Sequence, residues 1–291
     1  MHYLSPLRYP GGKRKLAPYI QLLMCRNGLL DGTYAEPYAG GGSVALSLLY
    51  GEFASHVYLN DYDPAIAAFW RAVVDQPDEL SQRVWDVDIT VEEWERQRLV
   101  QEALEPDPLD LAFSTLFLNR TNRSGIIRGG LIGGRQQNGP WRMDARFNRG
   151  ELIRRIKKVA RYRGRISVHQ LDALDFLRSI VPTLSGRALL YLDPPYYVKG
   201  GDLYEHHYQR DDHQRVACLV RTIEQPWVVS YDCVPEIQEM YAGYRQLVYA
   251  IHYSAQDRYR GREVMVFSPG LTVPDVADPS KVKSKLVAAE L

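Results

Sequence analysis

The chain has 291 residues, of which 45% are hydrophobic and 11% aromatic, and its formal net charge is +1. This length exceeds the usual size of one domain, and the composition supports a packed globular core. The three cysteines are too few and too scattered for a disulfide framework. No apolar run is long enough to span a bilayer and no charged-then-apolar leader opens the chain, so we expect a cytoplasmic protein without membrane attachment.

The first third of the chain alternates between helix and strand signals. The pattern predicts a helix from Leu16 to about Cys25, a strand in TYAEPYA, a helix in SVALSLLY and a strand in HVYLN. A glycine-rich turn joins the first of these strands to the second helix. Strand, glycine turn, helix and strand in this order are typical of a βαβ unit in a parallel sheet covered by helices.

Strand signals disappear between about residues 73 and 164, where the charge becomes strongly uneven. Residues 75–110 carry 12 acidic and 3 basic side chains, whereas residues 119–165 carry 14 basic and 2 acidic ones. A dense basic segment in a nearly neutral chain indicates a surface that faces a polyanion. The alternative is an amphipathic helix with a solvated basic face. We expect an inserted, mostly helical and basic domain over residues 73–164.

Strand signals return after residue 165, in RISVHQ, RALLYLD, PWVVSYD, YRQLVYA and REVMVFS. The predicted fold class is therefore α/β. We expect one discontinuous sheet domain from residues 1–72 and 165–270, interrupted by the insertion. Residues 271–291 lack a core pattern and are predicted to form a C-terminal tail.

Two polar motifs follow predicted strands in the first half of the chain, and open α/β sheets bind ligands beyond the carboxyl ends of their strands. In EPYAGGGS, residues 36–43, glycines permit a tight turn into a helix whose N-terminus favours an anion. A plain connection between strand and helix would give the same pattern. In YLNDYDP, Asp61 stands where nucleotide-binding sheets hold a ribose, whereas Asp63 before Pro64 is typical of a helix N-cap.

A third motif, Asp193-Pro194-Pro195-Tyr196, follows the predicted strand ALLYL. Proline has no N–H group, so the Asp193 carboxylate and the Pro194 carbonyl form two acceptors in a rigid turn without a competing donor. The natural partner of two such acceptors is an NH2 group. An aromatic ring at Tyr196 can stack on the heterocycle that carries this amine.

Taken together, the motifs resemble those of the Dam-type (α-group) DNA adenine N6-methyltransferases, which use S-adenosylmethionine. The resemblance covers roughly residues 5–268 and implies a Rossmann-like methyltransferase sheet with helices on both faces and an inserted target-recognition domain. The motifs that carry it are, in chain order, YPGGK at 9–13, EPYAGGGS, NDYDP, FLNRTNRSG at 117–125, RFN at 146–148, QLDALDFL at 170–177, DPPY and VVSYD at 228–232.

Transferred position by position, the resemblance implies three sets of site residues. The catalytic set is Asp193, Pro194, Pro195 and Tyr196. The cofactor-binding set is Tyr9, Gly11, Gly12, Lys13, Glu36, Pro37, Tyr38, Gly40, Gly42, Ser43, Asp61, Asp172, Ala173 and Asp193. The DNA-binding set is Arg120, Arg123, Ser124, Arg128, Arg135 and Arg146.

Two of these assignments have competing interpretations. Asp175, one helical turn after Asp172, can be the cofactor acid instead of it, or only a cap or surface acid. Arg128 can read a guanine or hold a phosphate. Along the predicted basic helix, a face that contacts the DNA backbone is expected from Arg154, Arg155, Lys157 and Lys158.

The implied activity is transfer of a methyl group from S-adenosylmethionine to N6 of a flipped-out adenine in double-stranded DNA. Tyr196, rather than Tyr197, is expected to stack on the extruded base. An RNA adenine methyltransferase and an inactive DNA-binding member of the fold are the alternatives. We expect a monomer, with a cognate restriction endonuclease as a conceivable partner, and no metal site at His206, His207 and His213.

Overall fold

The structure is a computed structural model that describes residues 4–9, 13–198, 208–252, 260–283 and 287. The α-helices are α1 (Ala17–Arg26), α2 (Ser43–Tyr50), α3 (Pro64–Asp75), α4 (Pro77–Asp86), α5 (Val91–Glu102), α6 (Pro108–Thr121), α7 (Arg149–Ala160), α8 (Ala173–Ser179), α9 (Arg210–Val220) and α10 (Pro235–Met240). The strands are β1 (Gly32–Glu36), β2 (Ala54–Asn60), β3 (Ile166–His169), β4 (Ala188–Leu192), β5 (Trp227–Asp232), β6 (Arg245–His252) and β7 (Arg260–Phe267).

The strands form a sheet in the order β3-β2-β1-β4-β5-β7-β6. β1 pairs in parallel with β2 and β4, and β4 pairs in parallel with β5, whereas β7 is antiparallel to both β5 and β6. The strand order turns back between β1 and β4, so the carboxyl ends of these two neighbours flank the switch point where such sheets bind ligands. The predicted α/β class and Rossmann-like methyltransferase sheet are confirmed.

Burial explains the sequence of the central strand β4, and the prolines that follow it explain where the strand ends. All five residues of β4, ALLYL, are buried, as expected for a parallel strand that is covered on both faces. Pro194 and Pro195 cannot donate to a sheet ladder, so β4 ends at Leu192 and Asp193 begins the following turn. Large side chains such as Trp227 and Phe176 fill the core beside it.

The chain forms two compact units, one from residues 1–12 and 63–168 and the other from residues 13–62 and 169–291. The first unit contains helices α3 to α7, and the predicted insertion, residues 73–164, lies within it. The unit begins before the insertion, because it includes all of α3, which packs against α6. At this contact the Thr115 hydroxyl donates to the Ala65 carbonyl at 3.2 Å. The predicted N-cap at Asp63 is confirmed, because its carboxylate accepts from the Ala65 N–H at 2.8 Å.

The second unit contains most of the sheet and continues into the predicted tail. The Thr272 N–H donates to Asn27 Oδ1 at 2.7 Å, and Val273 is buried, so packing extends beyond residue 270. The sequence did not predict this packing, because the apolar residues there are isolated and lie between prolines. None of the helices in the described residues has the length and apolar character that a bilayer crossing requires.

Candidate active site

The glycine turn after β1 has a backbone that favours glycine. Gly40 and Gly42 have φ angles of +46° and +56°, in the left-handed region that glycine adopts at little cost. Gly42 is the N-cap of α2, and Ser43 is the first helical residue. The Gly40 N–H donates to Asp61 Oδ2 at 2.8 Å, so the turn is braced by the residue that follows β2.

Asn60, the last residue of β2, connects this strand to the loops that follow β1 and β3. This fully buried side chain donates to the Pro37 carbonyl at 2.9 Å and to the Leu171 carbonyl at 3.0 Å, while its Oδ1 accepts from the Leu171 N–H at 3.0 Å. One amide therefore holds the loops after β1 and β3 against the end of β2. The sequence analysis did not identify this role, although Asn60 directly precedes Asp61.

Asp193 is held through one of its two carboxylate oxygens. Oδ1 accepts from the Ser230 hydroxyl at 2.8 Å and from Lys13 Nζ at 3.0 Å. Oδ2 has no hydrogen-bond partner among the described residues, and 24% of the side chain is exposed. Burial raises the pKa of Asp193, and the neighbouring Lys13 charge opposes this rise. The carboxylate is thus fixed in orientation with one oxygen left to accept.

Lys13 is buried, and its ammonium group contacts three oxygens. Besides Asp193, Nζ lies 3.0 Å from Glu263 Oε1 and 3.0 Å from the Tyr196 hydroxyl. Burial alone would lower the pKa of Lys13, but the charges of Asp193 and Glu263 outweigh it and hold the pKa well above its ordinary value. Lys13 therefore remains protonated, and its three N–H donors match three acceptors of the protein.

The loop after β4 is anchored at several points. The Tyr196 hydroxyl donates to Glu263 Oε1 at 2.9 Å, and the tyrosine is only 5% exposed. The N–H groups of Tyr197 and Val198 donate to the two oxygens of Asp232, at 2.8 and 3.0 Å. Because Asp232 ends β5, the neighbouring strand fixes the backbone that follows the two prolines.

The glycine turn and Asp193 lie on one cleft at the carboxyl ends of β1 and β4. Burial raises the pKa of Glu36 in this cleft to about 8, although the Tyr34 hydroxyl and the Ala45 N–H both donate to its Oε1. The lining residues are Lys13, Glu36, Tyr38, Ala39, Gly41, Gly42, Ser43, Val44, Tyr191 and Asp193. Motifs separated by about 150 positions in the sequence are thus brought together.

Asp172 and Asp175 have different surroundings. Asp172 is the N-cap of α8 and accepts from the Leu174 N–H at 2.8 Å, and Ala173 is the buried first residue of this helix. Asp175 is exposed and lies 3.6 Å from Arg178, so it is the surface acid of the pair. The helix cap that was considered for Asp175 is therefore formed by Asp172.

Several other predicted positions have different surroundings or lie outside the described residues. Tyr38 contacts Tyr208, with the two hydroxyls 3.1 Å apart. Tyr9 belongs to the first unit, whereas Gly11 and Gly12 lie outside the described residues, as do His206 and His207. His213 is buried in an aromatic cluster, 3.1 Å from the Tyr231 hydroxyl, and burial lowers its pKa to about 4.

A comparison with models of protein families matches residues 9–258 to the D12 class N6 adenine-specific DNA methyltransferases. The chain belongs to this family. It is accordingly an adenine-specific DNA methyltransferase, and DNA is its substrate class. The matched residues include the glycine turn and the DPPY turn and end before β7. A search of curated proteins gave no significant match.

The first unit of this D12 methyltransferase contains the arginines that were expected to bind DNA, but Arg120 is buried. It is 6% exposed, and its guanidinium donates to the Pro6 carbonyl. Burial lowers the pKa of Arg120 to about 9. A guanidinium enclosed in this way supports the fold of the unit, so Arg120 is removed from the predicted DNA contacts.

The other predicted DNA contacts lie on the long connection between α6 and α7. Arg123, Arg128, Arg135 and Arg146 are exposed, and Arg135 also pairs with Glu95 at 2.6 Å. Ser124 has a φ of +57°, an unusual conformation for a residue with a side chain. The connection therefore presents basic side chains from a turn of fixed shape.

Two asparagines of the D12 methyltransferase shape this turn. Asn119 Nδ2 donates to the Arg8 carbonyl at 2.6 Å and to the Gly125 carbonyl at 2.7 Å. Asn122 Nδ2 donates to the Ile127 carbonyl at 2.6 Å, and its Oδ1 accepts from Trp94 Nε1 at 2.6 Å. The segment NRTNRSG thus contains buried amides that hold the backbone as well as the exposed Arg123.

Helix α7 does not present the uniform basic face that the sequence predicts. Arg155 is largely buried and donates to the Ser5 carbonyl at 3.1 Å and to Glu151 at 2.7 Å. Arg154 also pairs with Glu151, at 2.8 Å, and Lys157 lies 3.3 Å from Asp78 of α4. Part of the positive charge of this helix is therefore compensated by acids of the same unit.

Three side chains that hold the DPPY turn and the residues after it were not predicted from the sequence: Ser230, Asp232 and Glu263. The first two stand in VVSYD, a motif that was aligned without assigning roles to its residues. Glu263 directly precedes the apolar run VMVF in REVMVFS, and a charged side chain inside a buried strand requires a partner. That requirement was a usable signal for Glu263, but it could not identify Lys13 as the partner.

Proposed function

We propose that this D12 methyltransferase transfers the methyl group of S-adenosylmethionine to N6 of an adenine that is rotated out of double-stranded DNA. The observation that carries the proposal is the single cleft shared by the glycine turn after β1 and Asp193 after β4. Adjacent strands can there bring a methyl donor and an acceptor amine together. S-adenosylmethionine, when bound, supplies an electrophilic methyl group on its sulfonium.

The residues around the cleft fit this donor. The left-handed glycines and the N-terminus of α2 suit a carboxylate such as that of the methionine moiety. Asp61 follows β2 and braces the turn through Gly40, and a carboxylate has about four acceptor sites, so Asp61 can also accept from ribose hydroxyls. We assign Asp172 to the adenine end of the donor.

Asp193 and Pro194 would hold the amine of the substrate. Asp193 Oδ2 and the Pro194 carbonyl accept its two hydrogens, which directs the nitrogen lone pair out of the plane of the base. Positioning of this kind can supply about 7–11 kcal/mol of a barrier. The same acceptors stabilise the positive charge that develops on nitrogen. The fixed orientation of Asp193, through Lys13 and Ser230, supports this role.

The adenine has to leave the duplex to reach such a pocket, at a cost of about a few kcal/mol. In this proposal Tyr196 stacks on the extruded base, and its hydroxyl contacts with Lys13 and Glu263 fix the plane of the ring. Because the ring is 5% exposed, its face has to be uncovered as the base enters.

The activity is tested by incubating the purified protein with isotope-labelled S-adenosylmethionine and either duplex DNA or RNA. We expect labelled N6-methyladenine in DNA, detected by mass spectrometry of the nucleosides. Label only in RNA would favour an RNA methyltransferase. Absence of donor binding in isothermal titration would favour a member of the fold without catalytic activity.

The catalytic assignment is tested by Asp193→Asn, which keeps the shape of the side chain but replaces one acceptor with a donor. We expect kcat to fall by about 100- to 1000-fold while the protein remains folded, because oriented acceptors at the reacting group contribute this much. Asp175→Asn, at an exposed acid on α8, is the matched control and should leave kcat unchanged. An Asp193→Asn protein within about tenfold of the wild-type kcat would contradict the assignment.

A further inference from the structure

Glu263 lies at the centre of a buried polar network beside the catalytic turn. It belongs to β7, directly before an apolar run that begins at Val264, and its side chain is 0% exposed. Oε1 accepts from Lys13 Nζ at 3.0 Å and from the Tyr196 hydroxyl at 2.9 Å, and Oε2 accepts from the Tyr249 hydroxyl at 2.5 Å. The residue lies beyond residues 9–258, which match the family.

The buried charges of this network are stable only if each of them is paired and hydrogen-bonded. A buried carboxylate is costly unless it is paired and hydrogen-bonded, and both oxygens of Glu263 meet this condition. Lys13 lies between two acids, Glu263 and Asp193, each 3.0 Å from Nζ. The position of Nζ is therefore set by two carboxylates, one in the turn after β4 and one on β7, rather than by Asp193 alone.

We propose that Glu263 is a positioning residue for methyl transfer, which holds Lys13 and Tyr196 through a single carboxylate and so leaves Asp193 Oδ2 available to the adenine amine. The inference rests on the proposed function of Asp193. Glu263 itself is not expected to touch the substrate.

The flexibility of lysine explains why a second acid is needed. An ammonium on a four-carbon stem carries three rotatable donors, so Lys13 held by Asp193 alone could approach both carboxylate oxygens. It would then occupy the oxygen that the amine requires. In our proposal Glu263 Oε1, 3.0 Å from the ammonium, takes one of these donors and so confines the contact with Asp193 to Oδ1.

Tyr249 fixes the orientation of Glu263 in turn. The two residues are directly paired across β6 and β7, and the Tyr249 hydroxyl binds the oxygen of Glu263 that Lys13 and Tyr196 do not use. A displacement of about 1 Å at a reacting group can cost about 100-fold in rate, so rigid support of this kind can affect the chemistry directly.

The test is Glu263→Gln, which keeps the size of the side chain and an acceptor oxygen but removes the charge. We expect kcat to fall by about 100-fold, with the KM for DNA changed by less than about threefold. The negative charge of Glu263 raises the pKa of Asp193, so the acid limb of the kcat profile should also move to lower pH. Loss of structure alone would not move this limb.

Ser268→Ala is the matched control. The Ser268 hydroxyl accepts from the Trp227 N–H at 3.0 Å directly after β7, so the variant loses a buried hydrogen bond at the same strand without touching the network. We expect a lower melting temperature and unchanged kcat and pH profile. Should the Glu263→Gln protein not fold, Tyr249→Phe replaces it, with an expected loss of about tenfold in kcat and an unchanged KM for DNA.

A folded Glu263→Gln protein with a kcat within about threefold of wild type, or with a lower kcat and an unmoved acid limb, would overturn the inference. So would a folded Tyr249→Phe protein with the wild-type kcat. Asp193→Asn is measured in parallel to separate the two claims. Wild-type activity in that variant refutes the catalytic role of Asp193 on which the inference rests, whereas an inactive Asp193→Asn protein beside a fully active Glu263→Gln protein refutes only the role of Glu263.

Discussion

Glu36 is a buried acid whose ionisation is coupled to folding. Its pKa is about 8 in the folded protein, against an ordinary value of 4.5, because burial outweighs the donors Tyr34 and Ala45. At neutral pH the folded protein therefore holds a proton on Glu36 that the unfolded chain has released. The linkage between pKa and stability then makes the protein less stable as the pH rises.

We predict that Glu36→Gln increases stability at alkaline pH. Glutamine keeps an acceptor for Tyr34 and Ala45 but cannot ionise. Wild type should lose stability relative to the variant between about pH 4.5 and pH 8, by about 1.4 kcal/mol for each unit of pKa shift, and the difference should level off above this range. Denaturant unfolding at several pH values measures it.

Glu239→Gln, which removes a carboxylate from an exposed position on α10, is the control variant. Parallel curves for the wild-type and Glu36→Gln proteins across the range would mean that Glu36 is already ionised in the folded protein at neutral pH.

Single residues were predictable from the sequence where the local chemistry is sufficient to define them. The prolines after Asp193 fix that acid in a turn, and Pro64 after Asp63 indicates an N-cap, so both could be placed without a structure. Glu263 meets Lys13 across 250 positions, and nothing local to either residue specifies this contact. Arg120 shows the same limit, because a count of charges cannot distinguish a buried guanidinium from an exposed one.

At the scale of elements, the connection between β1 and α2 depends on the conformation of Gly42. Its φ of +56° lies in a region that costs other residues about 1–2 kcal/mol. We predict that Gly42→Ala lowers the free energy of unfolding by about this amount and weakens binding of S-adenosylmethionine, because the turn lines the cleft. Denaturant unfolding and isothermal titration measure the two effects.

Gly186→Ala provides the control for Gly42. Gly186 has no left-handed backbone, and a Cβ there would meet no atom within 4 Å, so neither quantity should fall. Equal stability and equal donor affinity in the Gly42→Ala protein would show that the turn adjusts and that its backbone does not shape the cleft.

Elements were predicted most accurately where a hydrophobic pattern and a turn residue agree. The helix in SVALSLLY has the predicted bounds, because glycines end the preceding loop and begin the next one. The strand ALLYL ends at Leu192, with only Asp193 between it and the two prolines. Contacts between elements were not predictable, since the role of Asn60 in joining three strand ends exists only after the strands have been arranged.

At the scale of the whole molecule, the small net charge is the sum of an acidic segment and a basic segment, and side chains of the two segments form ion pairs with each other. Acids of α4 and α5 pair with basic residues, as in the contacts of Asp78 with Lys157 and of Glu95 with Arg135. The exposed positive charge available to a polyanion is therefore smaller than the count along residues 119–165 indicates. The long connection between α6 and α7 still carries five exposed arginines, which are Arg123, Arg128, Arg135, Arg142 and Arg146.

Arg128, exposed on this connection, should contact DNA, and its kind of contact can be measured. Each phosphate contact contributes a slope of about −0.9 to the logarithm of the binding constant plotted against the logarithm of salt concentration. If Arg128 holds a phosphate, Arg128→Ala should make the slope less steep by this amount and weaken binding uniformly across sequences. If it reads a guanine, the variant should lose about 1–3 kcal/mol of discrimination and methylate a wider set of motifs.

Arg178→Ala removes the same charge from an exposed arginine on α8, which is paired with Asp175, and it should alter neither the salt dependence nor the methylated motifs. The salt series needs only equilibrium binding to duplex DNA, and the motifs follow from sequencing DNA methylated by each variant. The two measurements are independent because counterion release reports on phosphates and motif choice reports on base edges. An Arg128→Ala protein that matches Arg178→Ala in both would exclude Arg128 from the DNA interface and leave Arg123, Arg135 and Arg146 as the exposed candidates.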